Sequence, residues 1–301
     1  MIASGNPLLC CFRLLLPVLL MACSPSERER PQQAPATELT AVLADGEVST
    51  SVDAASLDRL AASPVADGLT LHRVSDPDGN LLIVVAELAR FGTHIVGVGP
   101  QRRDGVVPLD LVEIPEVSLV IGSGFVSELL ALTPLGLLQI DGEMISRIQL
   151  HGYTRVLGVG ESRVGIVDHL QYERGLFDSA MQVGPGVIEA GRLDISERDM
   201  ERPPYFRTLV GTCGEKALFV ASLSPMHLHG VGRAVLAFAS AHGLACDELV
   251  NLAGDREAIL GLRLADGRAL FIGNPRTSRA AIVVLHSAVR DIDFLVGDEF
   301  K

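Results

Sequence analysis

Residues 207–254 read RTLVGTCGEKALFVASLSPMHLHGVGRAVLAFASAHGLACDELVNLAG, and the order of patterns in this stretch decides what the chain can fold into. Two short apolar runs, 207–212 and 216–222, flank a Gly-containing turn and read as a hairpin. Val231, Ala234, Val235, Phe238 and Ala239 then fall on one face at helical spacing, and Gly243 stands where a helix end favours a left-handed residue, so the spacing predicts a helix over 231–242. A third strand-like run follows at 248–252. The stretch is thus a hairpin leading into a strand–helix–strand crossover near 216–252. If that crossover is right-handed and joins neighbouring strands, they run parallel and their C-terminal ends share an edge. That edge gathers "SLSP" at 222–225, "AGDRE" at 253–257 and Arg207, the first residue of the antiparallel partner. Ligands of such sheets sit outside the C-terminal ends of strands.

Outward from this stretch, short β-type runs dominate from Leu69 onward: "LTLHRV", "LLIVVAEL", "THIVGV", "VSLVIG" and "LGLLQI". "PDGN" at 77–80 and Asp-Gly pairs at 141–142 and 266–267 mark the turns between them. Asp53–Ala62 carries weaker helical spacing, and no internal repeat is visible. The expected fold is α+β, a mixed and mainly antiparallel sheet with few helices.

The chain has 301 residues, 48% of them apolar, enough to bury one large core. Its net charge is −12 and its only lysines are Lys216 and Lys301, which argues against a nucleic-acid partner. The cations are otherwise arginines, whose planar guanidinium suits phosphate or carboxylate, although an Arg-rich codon usage accounts for them equally well. The first residues form a separate unit. Arg13 precedes the apolar run "LLLPVLLMA", which ends in "LMAC" at Leu20–Cys23 and resembles a bacterial lipoprotein signal. The run is too short for a membrane-spanning helix of about 20 residues, so a cleaved leader over 1–22 fits better than an anchor helix. Cys23 would then carry lipid, making the membrane a partner, and the polar, Pro-rich 23–45 would be a tether to a domain over 46–301. Ser24 after the cysteine favours the periplasmic face of the outer membrane. Cys10 and Cys11 leave with the leader, so Cys213 and Cys246 remain. Each precedes a strand of the crossover, which permits a disulfide between them; two separate buried thiols are the alternative.

Four stretches, "SGF…TPLGLLQIDGE" at 123–143, "MQVGPGVIEAGR" at 181–192, "RTLVG" at 207–211 and "DELVNLAGD" at 247–255, stand in an order and spacing that resemble the phosphodiester glycosidase domain family. The resemblance covers roughly residues 69–290. It implies hydrolysis of a sugar-1-phosphodiester in cell-envelope or exopolysaccharide material, with a glycan or sugar phosphate as ligand and no cofactor. The family's Gln-Ser-Gly-Pro falls on Gln182, Val183, Gly184 and Pro185, and its Arg-Thr-x-x-Gly on Arg207, Thr208 and Gly211. Its Asn-Gly-Gly-Phe falls on Gly122, Ser123, Gly124 and Phe125, so the Asn is missing. Its Leu-Asp-Gly-Gly falls on Leu252, Ala253, Gly254 and Asp255, so the Asp is missing too.

Hydrolysis of such a diester needs a cation on the phosphate, a carboxylate or positioned water near the anomeric carbon, and a proton donor. Arg207 and Arg256 suit the first role, with Asp255 and Glu257 as candidate catalytic carboxylates. Asp255 is placed to replace the carboxylate missing at Ala253, because a Gly turn does not hold the two-residue alternation of a strand. Gly124, Gln182, Gly184, Thr208, Asn251 and Gly254 are the remaining candidate substrate contacts. A charge run in a turn is also what an ordinary solvated surface looks like. The missing Asn and Asp leave open a degenerate member that binds a glycan or a protein without turnover, and rebuilding them at 122 and 253 is the change expected to restore hydrolysis in that case. His227 and His229, two residues apart, would share a strand face, but two histidines without a Cys cluster do not make a metal site. "GVGESRVG" at 158–165 lacks the helix that a nucleotide loop needs, and Ser123 in "GSGF" lacks a supporting His and Asp. With no Trp and only 4% aromatic residues, a sugar platform of large rings is not expected.

Overall fold

The computed structural model describes residues 41–42, 48–49, 64–98, 104–127, 132–160 and 163–287. The leader, Cys23, residues 24–40 of the expected tether and the weak helical pattern at 53–62 lie outside the described residues, whereas Ala41–Val42, inside the expected tether, forms a strand paired with Ala269 and Leu270. In chain order the strands are β1 (Leu69–Asp76), β2 (Gly79–Glu87), β3 (Phe91–Gly97), β4 (Val117–Ser123), β5 (Leu138–Ile140), β6 (Glu143–Ser146), β7 (Arg155–Gly160), β8 (Arg163–Asp168) and β9 (Ser179–Val183). They continue as β10 (Gly186–Glu189), β11 (Arg192–Leu193), β12 (Arg207–Cys213), β13 (Lys216–Ser222), β14 (Glu248–Gly254), β15 (Leu260–Arg263), β16 (Ala269–Ile272) and β17 (Ala281–Ser287). Two α-helices occur among the described residues, α1 (Pro108–Glu113) and α2 (Leu228–Ala241).

Sheet I has the order β11-β10-β14-β12-β13-β2-β1, and sheet III the order β6-β5-β9-β7-β8. Sheet II runs β16-β15-β4-β17-β3, extended beyond β16 by Ala41–Val42 and Val48–Ser49. One central core takes side chains from all three sheets, including Val84, Phe219 and Leu252 of sheet I, Leu119 and Val283 of sheet II, and Leu157 and Met181 of sheet III. Alternation along each strand sends the other residues to the outer faces. There α2 covers sheet I through Val231, Val235 and Phe238, and α1 covers sheet II through Leu111 and Val112. The α+β expectation is met only loosely, because the protein is β-rich. The expected mixed sheet is corrected as well, since every strand pair among the described residues is antiparallel.

The decisive stretch folds as a hairpin, helix and strand, with one change of neighbours. β14 does not lie beside β13; β12 stands between them and pairs with both, in the registers Thr208↔Ala221 and Arg207↔Gly254. β13 and β14 still run the same way, each being antiparallel to β12, but α2 carries the chain over one intervening strand. The hairpin leaves a free edge on each of its strands, and hydrophobic patterning is the same whichever edge the third strand joins. Cys213 ends β12 and Cys246 precedes β14, so antiparallel neighbours bring the two together, and they form a disulfide. α2 starts at Leu228, three residues earlier than its apolar face predicts.

On the outer face of sheet II two histidines pack against each other. His94 of β3 and His286 of β17 lie with ring centroids 4.9 Å apart, and a Cβ on Gly92 would overlap the His286 ring. Burial, and then the proximity of His286, lowers the His94 pKa to about 4, and burial likewise lowers that of His286. A folded-state pKa below the unfolded value of about 6.5 contributes stability that is fully present above pH 6.5 and lost as pH falls toward the folded value. Between pH 7 and 5 the protein is expected to lose about 1–2 kcal/mol through His94, after allowing for solvent screening at this half-buried site. Urea unfolding across that range checks it, with His94→Gln expected to flatten the profile and an unchanged slope counting against this origin.

Candidate functional site

The site is built at the end of sheet I where β12 begins and β13 and β14 end. The Arg207 backbone N–H donates to Ser222 Oγ at 2.8 Å, and Arg207 pairs across the other edge with Gly254. A Cβ at Gly254 would lie 2.9 Å from Arg207 Nη1, so the absence of a side chain there lets the guanidinium rest against the β14 backbone. The Arg207 guanidinium carbon stands 5.1 Å from the centre of the Tyr205 ring. Its Nε is buried and has no hydrogen-bond partner among the described residues. Burial pushes the Arg207 pKa down, opposed by Asp199, Tyr205 and Asp255 in turn. With Nε sealed from solvent, a desolvated guanidinium that has two carboxylates in range can meet an anion only through its terminal nitrogens.

Asp255 follows Gly254 and takes the left-handed conformation, φ +54°, with its N–H donating to the Phe206 carbonyl at 2.8 Å. That turn swings it out of the strand alternation and into electrostatic range of Arg207. The short 3-10 turn Asp255–Glu257 then sends its three charged residues apart. Arg256 is exposed, and its carbonyl accepts from Arg279 Nη2 at 2.7 Å. Glu257 pairs with Arg279 Nε at 3.2 Å, and Arg279 is only 2% exposed. Glu257 therefore neutralises a buried guanidinium while its own side chain stays partly exposed. Arg279 was missed because nothing in "NPRTSRA" marks it and its partner is 22 residues away.

Thr208 points the opposite way from Arg207, as alternation requires. It is fully buried, and its hydroxyl donates to the Gly122 carbonyl of β4 at 3.2 Å, tying sheet I to sheet II. Gly122 itself faces Ile259, whose Cγ2 would overlap a Cβ placed there. Gly124 has φ +77° with Ala281 as its neighbour. The side chain of Ser123 lies outside the described residues.

Gln182 is 1% exposed and fully engaged. Its Oε1 accepts from the Leu137 and Gln149 N–H groups at 3.1 and 2.8 Å, and its Nε2 donates to the Gln149 and Tyr153 carbonyls at 2.6 and 2.7 Å. Two bonds to its oxygen and two from its amide nitrogen are thereby made to backbone groups. Gly184 and Asn251 hold each other. Gly184 N–H donates to the Asn251 carbonyl at 2.9 Å and Asn251 Nδ2 to the Gly184 carbonyl at 3.1 Å, while Asn251 Oδ1 is buried with no partner among the described residues. The structure thus brings Arg207, Gly254 and Asp255 together and turns Thr208, Gln182 and Glu257 to structural tasks.

Two residues absent from the sequence-based set border Arg207. Asp199 lies in the 3-10 turn Glu197–Glu201 and accepts from the His229 N–H of α2 at 3.2 Å. Tyr205 forms a two-hydrogen-bond bridge with Met226, at 3.2 and 2.8 Å. His227 is the N-cap residue of α2, with Nε2 2.7 Å from the Arg202 carbonyl, and His229 is helical. They do not share a strand face, and no group of three metal-ligating side chains occurs among the described residues. A surface groove of about 560 Å³ lies elsewhere, between β1 and α2, and is lined by His72, Phe238 and His242 among others.

The fold resembles that of a phosphodiester glycosidase catalytic domain at low sequence identity. It resembles the zebrafish N-acetylglucosamine-1-phosphodiester alpha-N-acetylglucosaminidase catalytic domain, solved auto-inhibited by its pro-peptide, with a TM-score of 0.51 and 14% identity over 75% of this chain and 87% of that one. A hypothetical protein from Synechocystis matches with a TM-score of 0.47 and 14% identity, over 73% of this chain and 62% of that one. No protein-family model matches the sequence, and no curated protein does.

Proposed function

We propose that this chain is an envelope protein, lipidated at Cys23, whose domain hydrolyses a sugar-1-phosphodiester at the rim where β12 begins. The observation that carries this reading is Arg207, a largely buried guanidinium with an unbonded Nε beside the turn that carries Asp255. Arg207 holds the monoanionic phosphate, and Asp255 exchanges a proton at the scissile glycosidic oxygen or with the attacking water. Arg256, exposed at the same turn, adds a second cation for the phosphate. Arg207→Ala is expected to abolish turnover of a sugar-1-phosphodiester, and Asp255→Asn to reduce it by about 10²-fold with little change in thermal stability. Full activity in Asp255→Asn would rule out its role as the reacting carboxylate.

A second reading, a glycan or sugar-phosphate binder without turnover, is favoured by the occupation of Glu257 by Arg279 and by Ala253 standing where the family has Asp. In that case the wild type binds a sugar phosphate through Arg207 and releases no product over long incubation.

A further inference from the structure

In a chain without Trp, three tyrosines are the candidates for a ring that meets a ligand. Tyr153 is stacked on Phe125 with centroids 4.3 Å apart, and the Tyr172 hydroxyl donates to Gln139 Oε1 at 3.1 Å. Tyr205 is different, being 40% exposed. One side of its ring meets the Arg207 guanidinium, while its backbone is locked to Met226. Pro203 and Pro204 precede it, and the fixed φ of proline stiffens the approach. A ring held this way is already in place when a ligand arrives, so little ordering cost falls on binding.

Asp199 stands by the same guanidinium. Its Oδ2 is taken by the first turn of α2, at His229 N–H, which fixes the carboxylate and leaves Oδ1 to accept from a ligand hydroxyl. Ser196 anchors the turn by accepting the Arg198 N–H at 3.3 Å. An exposed aromatic face, a fixed carboxylate and a neighbouring anion site are the three groups that a phosphorylated sugar asks for: an apolar surface for the ring's C–H face, an acceptor for its hydroxyls and a cation for its phosphate.

We propose that Tyr205 and Asp199 form a sugar subsite beside Arg207, selecting a neutral pyranose attached to the bound phosphate. The proposal rests on the Arg207 reading above. A free phosphate would use Arg207 alone, whereas a sugar phosphate would also cover the open side of the Tyr205 ring. It places specificity in the loop before β12 rather than in the glycine-rich turns.

Calorimetric titration of the full chain with inorganic phosphate and with glucose 1-phosphate tests this, since the two probes share the anion and differ in the sugar. The wild type is expected to bind glucose 1-phosphate about fivefold more tightly, the scale of one ring-stacking contact. Tyr205→Ala should bring that ratio to about one, with phosphate affinity kept within about twofold, and Tyr205→Phe should retain it, because the stacking face and not the hydroxyl is used. Equal affinities in the wild type, or an unchanged ratio in Tyr205→Ala, would overturn the sugar subsite while leaving Arg207 as an anion site. Binding of neither probe, or binding unaffected by Arg207→Ala, would overturn the Arg207 reading and the subsite with it.

Discussion

Ala253→Asp is expected to destabilise the protein by about 3–5 kcal/mol, because it leaves an uncompensated carboxylate in the core. Ala253 is fully buried and pairs in register with Thr208, the residue whose hydroxyl fastens sheet I to sheet II. A carboxylate there ionises only at the cost of desolvation, and when protonated it still needs a hydrogen-bond partner. Adding Gly122→Asn worsens the case: its Cβ would overlap Ile259 and lie 2.9 Å from the Glu257 carbonyl, an overpacking worth about 1–3 kcal/mol. Gly122 is also the acceptor for Thr208, so the two substitutions act on one contact and need not add. The double change that restores the family's residues on paper is therefore expected to lower the urea midpoint sharply rather than to create activity. A double variant as stable as the wild type would show that this region yields more readily than its packing indicates.

Gln182→Ala should cost a comparable amount, about 3–5 kcal/mol. Four hydrogen bonds to backbone groups of Leu137, Gln149 and Tyr153 are lost together, at about 1 kcal/mol each when the freed groups are partly rehydrated and more when they are not. Gln182 pins the segments around 137 and 149–153 onto β9, so the damage is expected to be local as well as global. Hydrogen exchange should quicken first at the Leu137 and Gln149 amides, then across β5. Unaltered exchange at those two amides would mean that the side chain does not hold them. The position behaves as a fastener, whatever the motif around it resembles.

The parts of the fold that were legible in the sequence are those governed by local periodicity. The spacing of Val231, Val235 and Phe238 specifies a helix with one apolar face, and that face meets sheet I. The Asp-Gly pairs at 141–142 and 266–267 mark turns, and each joins two adjacent strands. The position of β14 was not legible, because hydrophobic alternation says that a strand is half-buried without saying which free edge it joins. At the candidate site, the proximity of Arg207 and Asp255 follows from the strand ends that carry them. Their neighbours were not legible: Asp199 and Tyr205 lie in a 3-10 turn and loop without periodicity, and the Glu257–Arg279 pair joins residues that only the tertiary fold brings together. The same charged run, "DRE" at 255–257, sends one carboxylate toward Arg207 and the other toward a buried arginine. No composition rule separates the two.

Arg207 and Thr208 are consecutive, yet one lies at the rim and the other is the rivet between two sheets. The guanidinium is therefore geared to the spacing of the whole core. If Arg207 holds an anion as proposed, the ligand sits one peptide unit from a contact between two sheets, and by mass action its binding energy is credited to the entire fold and not to one loop.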